Sequence, residues 1–248
     1  MDRVAIVTGA NTGIGLAIAE RLQADGFLLA YATQDREHED DRRTFDRLEK
    51  LGRTFWVSGD LSDPAVPEQL VAEAERELGR IDVLVNNAGL STAKPVLELT
   101  AEDFDLTFSV DVKAAFLLSQ AVARRMRDSG GGSIVNITSV HEHIPRPSFA
   151  LYASAKAALG MLTRGLALEL AEFNIRVNAV APGVIATPRN AEDAKALDPE
   201  VPLGRPGTPE EVAGLVSYLA SADASYVTGA SYVIDGGMIQ QVVARPAG

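Results

Sequence analysis

The sequence predicts an α/β protein built on one doubly wound, seven-stranded parallel sheet with helices on both faces. Short runs of β-branched and apolar residues alternate along the chain with longer amphipathic segments, which is the pattern of repeated strand–helix units. Crossovers between parallel strands are almost always right-handed, so consecutive units wind onto a single sheet. No linker, repeat or low-complexity tract interrupts the 248 residues, and we therefore expect a single domain over residues 1–248.

The predicted strands are short, and the gaps between them leave room for a helix. The strands are Arg3–Thr8, Phe27–Thr33, Arg53–Ser58, Ile81–Asn86, Ser133–Thr138, Ile175–Val180 and Ser231–Ile234. The helices are Gly13–Ala24, Arg42–Leu51, Pro64–Leu78, Ala101–Arg127, Leu151–Ala171 and Pro209–Ala220. Five prolines between positions 188 and 209 bracket a charged helical piece. A long irregular excursion beside a strand end is typical of a substrate lid, which we place at about 188–208.

Composition excludes several classes of partner and site. Acidic residues outnumber basic ones 34 to 23, giving a net charge of −11, which disfavours nucleic acid and anionic membrane surfaces. The absence of cysteine excludes disulfides, iron–sulfur clusters and thiolate zinc sites. The opening residues show no signal-peptide pattern, and no stretch approaches the roughly 18 apolar residues of a membrane span. We expect a cytoplasmic protein that binds neither nucleic acid nor membrane.

A glycine-rich turn follows the first predicted strand and leads directly into a helix. Residues 8–15 read Thr-Gly-Ala-Asn-Thr-Gly-Ile-Gly. A pyrophosphate needs backbone amides at a helix N-terminus and no side chain in its approach, and glycine meets both needs. Glycines kept only for tight packing are the alternative. The candidate cofactor-binding residues here are Gly9, Asn11, Thr12, Gly13, Ile14 and Gly15.

Small and amide side chains follow the fourth predicted strand. The cluster Asn86-Asn87-Ala88-Gly89 lies across the expected switch point of the sheet from the glycine turn. Small residues there leave room for a flat cofactor, and asparagine amides can link neighbouring strand ends. An ordinary loop turn would have the same composition, so the cluster is weak when taken alone.

Tyr152 and Lys156 are spaced i, i+4 in a predicted helix and therefore share one face. An ammonium beside a phenol favours the phenolate, which makes tyrosine a usable general acid–base near neutral pH. Ser139, at the end of the fifth strand, can hold a substrate oxygen beside the tyrosine. A solvated surface pair on a helix is the alternative interpretation.

Taken together, these motifs give the chain a resemblance to the short-chain dehydrogenase/reductase family. The shared features are Thr8–Gly15, Asn86–Gly89, Ser139, Tyr152-x3-Lys156 and Pro182-Gly183, in the family's order and spacing over essentially the whole chain. The resemblance implies a Rossmann-type domain, hydride transfer between NAD(P) and a carbonyl/alcohol pair, and a homotetramer assembled through the two long helices.

The resemblance also implies a role for individual residues. Tyr152 would be the acid–base, Ser139 would orient the substrate oxygen, and Lys156 would bind the nicotinamide ribose and tune Tyr152. Asp60 would contact the adenine, Asn87 the adenosine ribose, and Thr187 the carboxamide end of the cofactor. The remaining implied cofactor contacts are Thr33, Leu61, Ala88, Gly89, Pro182, Gly183 and Ile185.

One catalytic position departs from the family pattern. The family has an asparagine in the helix after the fourth strand, thought to hold a proton-relay water through its backbone carbonyl, and this chain has Asp111. Asp111 can keep the relay role, and its added negative charge near Lys156 is expected to alter the pH profile.

The preference between NAD and NADP rests on the end of the second strand. An acid there favours NAD, and this chain has Thr33 followed by Gln34, with Arg36 as the only nearby cation. However, Thr12 stands where many NADP enzymes have arginine, and Asp35 also lies close. We lean slightly towards NADP or dual use.

The substrate expectation comes from segments that resemble the glucose 1-dehydrogenase branch, at 139–145, 183–188 with 190–192, 224–229 and 235–238. A sugar or polyol needs several hydrogen-bonding groups, and the candidates are Ser91, His141, Glu142 and Asn190. Ser91 stands where that branch usually has glutamate, which puts glucose itself in doubt. We expect no metal site at His141-Glu142-His143, because no further ligand is evident.

Two other functions remain open. A 3-oxoacyl-[acyl-carrier-protein] reductase shares every catalytic motif, although the chain's negative charge argues mildly against an acidic carrier protein. The other is a nicotinamide-binding sensor that catalyses no reaction, and Asp111 is the only residue that supports it.

Overall fold

A computed structural model of the chain describes residues 2–34, 39–188 and 190–241. Seven strands form one sheet in the order β3-β2-β1-β4-β5-β6-β7, and every pair is parallel. Their bounds are β1 Arg3–Thr8, β2 Phe27–Thr33, β3 Thr54–Ser58, β4 Ile81–Asn86, β5 Gly132–Ile137, β6 Ile175–Pro182 and β7 Ser231–Ile234. This confirms the predicted doubly wound sheet, whose order reverses between β1 and β4.

Helices cover both faces of the sheet. They are α1 Gly13–Ala24, α2 Glu39–Leu51, α3 Val66–Leu78, α4 Ala101–Phe108, α5 Ala114–Ser129, α6 Ala150–Leu170, α7 Ala191–Ala196 and α8 Pro209–Ala220. Two apolar clusters form the core, one on each face. Because side chains alternate along a strand, β4 sends Val83 and Val85 into the cluster with α1 and α8, and Leu84 into the cluster with α3 and α5.

The predicted long helix Ala101–Arg127 is not continuous. A π-helical turn, Ser109–Lys113, separates α4 from α5. The prediction missed it because a π turn keeps helical backbone angles, so the apolar periodicity continues almost unchanged. The wider turn matters for the site because it carries Asp111, whose side chain is buried.

The stretch Ala101–Ser129 is long and apolar enough to cross a membrane by length and composition alone. The sequence expectation that no stretch has this character was therefore too strict. Half of its most apolar window is buried inside the fold, where α5 packs against α3 and the sheet. A core helix of a globular protein passes the same test.

Three arginines close helix ends at the amino edge of the sheet, where the strands begin. Arg3 donates to the carbonyl of Asp25 after α1, and Arg80 donates to the carbonyl of Ser129 at the end of α5. Arg176 donates to the carbonyls of Leu219 and Ser221 around the end of α8. Helix C-termini leave carbonyls without intrahelical partners, and these guanidinium groups satisfy them.

The segment predicted as a lid contains the short helix α7 and a 3-10 turn, Asp198–Glu200. Its base is anchored by a bridge between Ile185 and Gly207, and its far side by a hydrogen bond from Leu203 N to Gly236 O. The predicted bounds of β1, β2, β4, β7, α1 and α8 match the structure, and those of β3, β5, β6, α2, α3 and α6 differ by one to three residues at an end.

Candidate active site

The glycine turn between β1 and α1 is built for close approach of another group. Gly9 and Gly13 have φ of +62° and +55°, which residues with a side chain rarely adopt. At Gly15 a Cβ would lie 2.2 Å from Gly9 O. Thr12 caps α1 without a side-chain hydrogen bond, and the first turn carries no acid. The helix N-terminus therefore presents open amides and a positive dipole end, which fits the pyrophosphate of a dinucleotide.

Asn87 links this turn to the end of β4. Its Nδ2 donates to the carbonyls of Thr8 and Gly9, both at 3.0 Å. In return, Thr8 Oγ1 accepts hydrogen bonds from the backbone amides of Asn87 and Ala88. The expectation that asparagine amides link neighbouring strand ends is met by these contacts.

A cavity of about 380 Å³, here called the turn cavity, opens beside the glycine turn. The predicted cofactor residues among its lining are Gly9, Asn11, Thr12, Thr33, Asp60, Leu61, Asn87, Ala88 and Gly89. Leu106 and Val110 also line it, and sequence reasoning missed both because they are apolar residues of the predicted helix Ala101–Arg127, in which only Asp111 was singled out. At its far end Thr33 Oγ1 accepts a hydrogen bond from Trp56 Nε1 at 2.8 Å. A backbone hydrogen bond from Ser62 is the main cause that lowers the pKa of Asp60.

A second cavity of about 400 Å³, here called the cleft, shares Asn87 and Gly89 with the turn cavity. It brings together the three residues predicted to carry chemistry, Ser139, Tyr152 and Lys156. The other predicted residues in its lining are Ile14, Ser91, His141, Pro182, Gly183, Ile185, Thr187 and Asn190. A dinucleotide that spans both cavities would therefore place its reactive end beside Tyr152.

Tyr152 and Lys156 lie on the same face of α6, as their spacing predicts. Lys156 Nζ is 5.6 Å from the centre of the Tyr152 ring. The lysine is 4% exposed, and its ammonium donates to Asp111 Oδ1 and to the carbonyl of Ile137, both at 3.3 Å. The interpretation as a solvated surface pair is wrong, because the ammonium is buried against the sheet.

Ser139 precedes the 3-10 turn Val140–Glu142 and caps it. Its Oγ accepts a hydrogen bond from the amide of His141 at 3.2 Å. Within the described part of the chain this hydroxyl donates no hydrogen bond, so its proton is available to an oxygen in the cleft. The His141 ring stacks on Phe149 and meets Tyr152 edge-on, which gives the cleft one aromatic wall.

Glu142 does not line the cleft, contrary to the sequence prediction. Its carboxylate is buried on the other side of the turn, where Oε2 accepts a hydrogen bond from Ser231 Oγ at 2.9 Å. A Cβ at Gly160 would lie 2.2 Å from Glu142 Oε1, so α6 closes over this carboxylate. The 3-10 turn rotates successive side chains by about a third of a revolution, so Glu142 faces away from the cleft that His141 lines.

We expect Glu142→Ala to lower the free energy of unfolding by about 1–3 kcal/mol, because it removes a buried hydrogen bond and leaves Ser231 without its partner. The KM for substrate should change by less than about threefold, since the side chain lies outside the cleft. Ser231→Ala removes the same hydrogen bond from β7 and should give a similar loss in chemical denaturation. A raised KM with unchanged stability in Glu142→Ala would mean that Glu142 contacts the substrate.

Asn190 lines the cleft, but its polar atoms are already engaged. Its Oδ1 accepts hydrogen bonds from the amide and hydroxyl of Thr187 at 2.7 and 2.8 Å, and its Nδ2 donates to the carbonyl of Ile185. These bonds fix the loop that carries Thr187 next to Gly13, where a glycine Cβ would lie 3.2 Å from the threonine methyl. Asn190 therefore acts mainly by holding this loop in place.

Sequence reasoning missed Arg146 and Phe149, which also line the cleft. Both lie in the loop before α6, and the Arg146 guanidinium is 5.6 Å from the centre of the Phe149 ring. A cation three residues from an aromatic residue is too common a pattern to have singled them out. Among the described residues, no group of three or more His, Asp or Glu side chains is placed to hold a metal ion.

The chain also resembles known proteins in its sequence and in its structure. The family model described as Enoyl-(Acyl carrier protein) reductase matches residues 9–239. An uncharacterized oxidoreductase, YohF, of Escherichia coli (strain K12) is 44% identical over 96% of both chains. L-2,3-butanediol dehydrogenase of Corynebacterium glutamicum is 38% identical over 96% of this chain and 99% of its own. The crystal structure of acetoin dehydrogenase from Enterobacter cloacae superposes with a TM-score of 0.91, at 45% identity and 99% coverage of both chains.

Proposed function

The chain belongs to the short-chain dehydrogenase/reductase family of NAD(P)-dependent oxidoreductases that act on alcohols, and from that premise we propose that it interconverts a small vicinal diol and the corresponding hydroxyketone. The observation that carries the proposal is the cleft, where Ser139, Tyr152 and Lys156 meet beside the end of the turn cavity. Relatives named as butanediol and acetoin dehydrogenases, at 38–45% identity, support the substrate class.

The structure gives less support to a sugar substrate than the sequence does. Four side chains were expected to hold its hydroxyls, but Glu142 points away from the cleft towards Ser231, and Asn190 uses Oδ1 and Nδ2 to hold its own loop. Ser91 and His141 remain in the cleft for a second oxygen of the substrate. Two contacts beyond the reacting carbon suit a diol better than an aldose with four or five hydroxyls.

In this mechanism Tyr152 moves the proton. In the reduction direction, its phenol donates to the carbonyl oxygen of the substrate while Ser139 donates a second hydrogen bond to the same oxygen. A nicotinamide held between Ser139, Tyr152 and Lys156 on one side and Thr187 on the other would supply the hydride that the carbonyl carbon receives. The nearby Lys156 ammonium stabilises the phenolate that remains on Tyr152. In oxidation the phenolate takes the hydroxyl proton from the alcohol.

The family's proton relay is proposed here through the π turn. Asp111 occupies the relay position and its carboxylate accepts a hydrogen bond from Lys156, so a proton path from Tyr152 through Lys156 to Asp111 fits the arrangement.

We assign the glycine turn to the pyrophosphate and the far end of the turn cavity to the adenosine half of the cofactor. Asp60 and Leu61 would flank the adenine, Asn87 would lie near the adenosine ribose, and Thr187 would meet the carboxamide. NADP or dual use remains the proposed preference, because Thr33 and the exposed Gln34 put no carboxylate at the end of β2. Asp35 and Arg36, which also bear on this preference, lie outside the described residues.

Thr33→Asp is expected to raise the ratio of kcat/KM with NAD to that with NADP by at least about tenfold, because a carboxylate there would repel a 2′-phosphate. The new side chain can still accept the hydrogen bond from Trp56. Thr33→Asn is the matched neutral variant and should leave the ratio nearly unchanged. Initial rates with both cofactors provide the measurement. An unchanged ratio of the two kcat/KM values in Thr33→Asp would mean that Thr33 does not lie beside the adenosine ribose.

The remaining proposals concern assembly and access. We propose one domain over residues 1–248, with the segment at about 188–208 acting as a lid over the cleft that α7 borders through Asp193 and Ala194. Exposed apolar side chains on the long helices support a homotetramer. They are Phe104, Phe116, Met161 and Leu168.

The deciding experiment is a set of initial rates with NAD and NADP across acetoin, the stereoisomers of 2,3-butanediol, glucose, galactose and acetoacetyl thioester. Saturable turnover confined to the diol and hydroxyketone is the expected result. Turnover on the sugars would restore the aldose expectation, and turnover on the thioester would favour the 3-oxoacyl-[acyl-carrier-protein] reductase. Cofactor binding seen by quenching of Trp56, with no turnover on any compound, would favour the sensor.

A further inference from the structure

Asp111 is a buried carboxylate held between the loop after β4 and Lys156 of α6. It is 1% exposed, and its Oδ1 accepts hydrogen bonds from the backbone amide of Leu90 at 3.0 Å and from Lys156 Nζ at 3.3 Å. Its Oδ2 has no hydrogen-bond partner among residues 2–34, 39–188 and 190–241. One oxygen therefore joins the loop after β4 to the lysine of α6.

The neighbouring backbone is shaped around this contact. The π turn directs Asp111 towards the strand ends, and Gly89 leaves the space it needs. A Cβ at Gly89 would lie 2.3 Å from Asp111 Oδ1 and 3.0 Å from Lys156 Nζ. Gly89, the Asp111 carboxylate and the Lys156 ammonium are thus tightly packed against one another. This packing fixes the distance between the carboxylate and the ammonium.

The charge of Asp111 acts on Tyr152 through Lys156. Among the described residues, Asp111 on the π turn contacts Lys156 directly, and the other groups able to carry charge in the cleft are Tyr152, His141, Arg146 and Asp193. Lys113 is exposed on the outer side of the π turn. An ammonium alone would strongly favour the phenolate of Tyr152. A carboxylate at hydrogen-bond distance from that ammonium cancels much of its field at the phenol, because the pair together is neutral.

We propose that Asp111 is a positioning residue that fixes Lys156 and weakens the electrostatic effect of its ammonium on the Tyr152 phenol. The inference rests on the proposed acid–base role of Tyr152. Burial raises the pKa of Asp111, while Lys156 and the Leu90 amide oppose that effect. Above the pKa of Asp111 the carboxylate is charged and its moderating effect is present.

The test compares the pH dependence of alcohol oxidation in the wild type and in Asp111→Asn. The asparagine keeps Oδ1 for both accepted hydrogen bonds and puts its amide nitrogen where Oδ2 lacks a partner. Loss of the negative charge should move the limb that reports ionisation of Tyr152 to lower pH by about one unit. Asp223→Asn makes the same chemical change at an exposed carboxylate on the turn after α8, and its profile should match the wild type.

A second readout needs neither cofactor nor turnover. Ultraviolet difference titration of tyrosinate in the wild type, Asp111→Asn and Tyr152→Phe isolates the transition of Tyr152, which should fall in Asp111→Asn. An unchanged transition or one moved to higher pH overturns the inference. Asp111→Ser removes the charge with a smaller group and must shift the transition in the same direction, which keeps the test valid if the asparagine variant folds poorly.

The two proposals fail in different ways. Full turnover in Tyr152→Phe would overturn the acid–base role and with it the basis of this inference. An inactive Tyr152→Phe together with unshifted profiles in Asp111→Asn would leave the proposed function intact and overturn only the role of Asp111.

Discussion

Tyr152→Phe is expected to lower kcat by about a thousandfold, within the range that general acid–base catalysis contributes. The variant keeps the ring that meets His141 and Phe149 edge-on, and it removes only the hydroxyl that transfers the proton. Affinity for the cofactor should stay close to that of the wild type, because the glycine turn and Asn87 are untouched. Steady-state kinetics and fluorescence quenching on the same preparations separate the two effects.

The matched control for this substitution is Tyr226→Phe. Tyr226 is fully exposed and lies away from both cavities, so the loss of its hydroxyl should leave kcat unchanged. Wild-type turnover in Tyr152→Phe would mean that another group transfers the proton, and the proposed mechanism would fail.

Gly15→Ala is the second change expected to have a large effect. The new Cβ would lie 2.2 Å from Gly9 O and 2.5 Å from Asn87 Nδ2, so either the turn or the asparagine must move. We expect a loss of about 1–3 kcal/mol in the free energy of unfolding, the usual cost of overpacking. The displaced turn should also weaken cofactor binding by more than about tenfold, because its amides no longer converge on the pyrophosphate.

Gly165→Ala provides the comparison. Gly165 lies in α6, and a Cβ there would meet nothing within 4 Å. Alanine should stabilise the helix by about 0.5–1 kcal/mol and leave cofactor binding as it was. Thermal unfolding and cofactor titration of the two variants test the argument, which fails if Gly15→Ala binds cofactor like the wild type.

The parts of the site that could be predicted are those in which local spacing determines position. The glycine turn follows from Gly9, Gly13 and Gly15 between a strand and a helix, and the structure gives β1 and α1 the predicted bounds. Tyr152 and Lys156 meet because residues four apart share a helix face. In both cases the relevant contacts are made within a few residues of chain.

The parts that could not be predicted depend on where a side chain points after a turn or on a partner far along the chain. Glu142 turns away to Ser231, 89 residues later, and the sequence holds no sign of that partner. Asn190 is engaged by Thr187 because the loop folds back on itself. The spacing of apolar residues does not reveal the π turn around Asp111, since the helix continues on either side of it.

The same limit applies to substrate preference. The segments that resemble the glucose 1-dehydrogenase branch include 139–145, which contains both Ser139 and Glu142. One of these side chains lines the cleft and the other does not, so the motif preserves a backbone path more than a set of substrate contacts. Comparison supports dehydrogenases acting on alcohols and does not confirm that branch.

The arginines at the amino edge of the sheet have a consequence for how this enzyme can diversify. Arg3, Arg80 and Arg176 close the ends of three helices at the edge opposite the cleft. These contacts lie outside the cleft and the turn cavity, so the loops at the carboxyl edge can exchange residues without loosening these helix ends. A new substrate preference can therefore evolve through changes at the carboxyl edge while the helix ends at the opposite edge stay in place, which suits a scaffold whose relatives are named as butanediol and acetoin dehydrogenases.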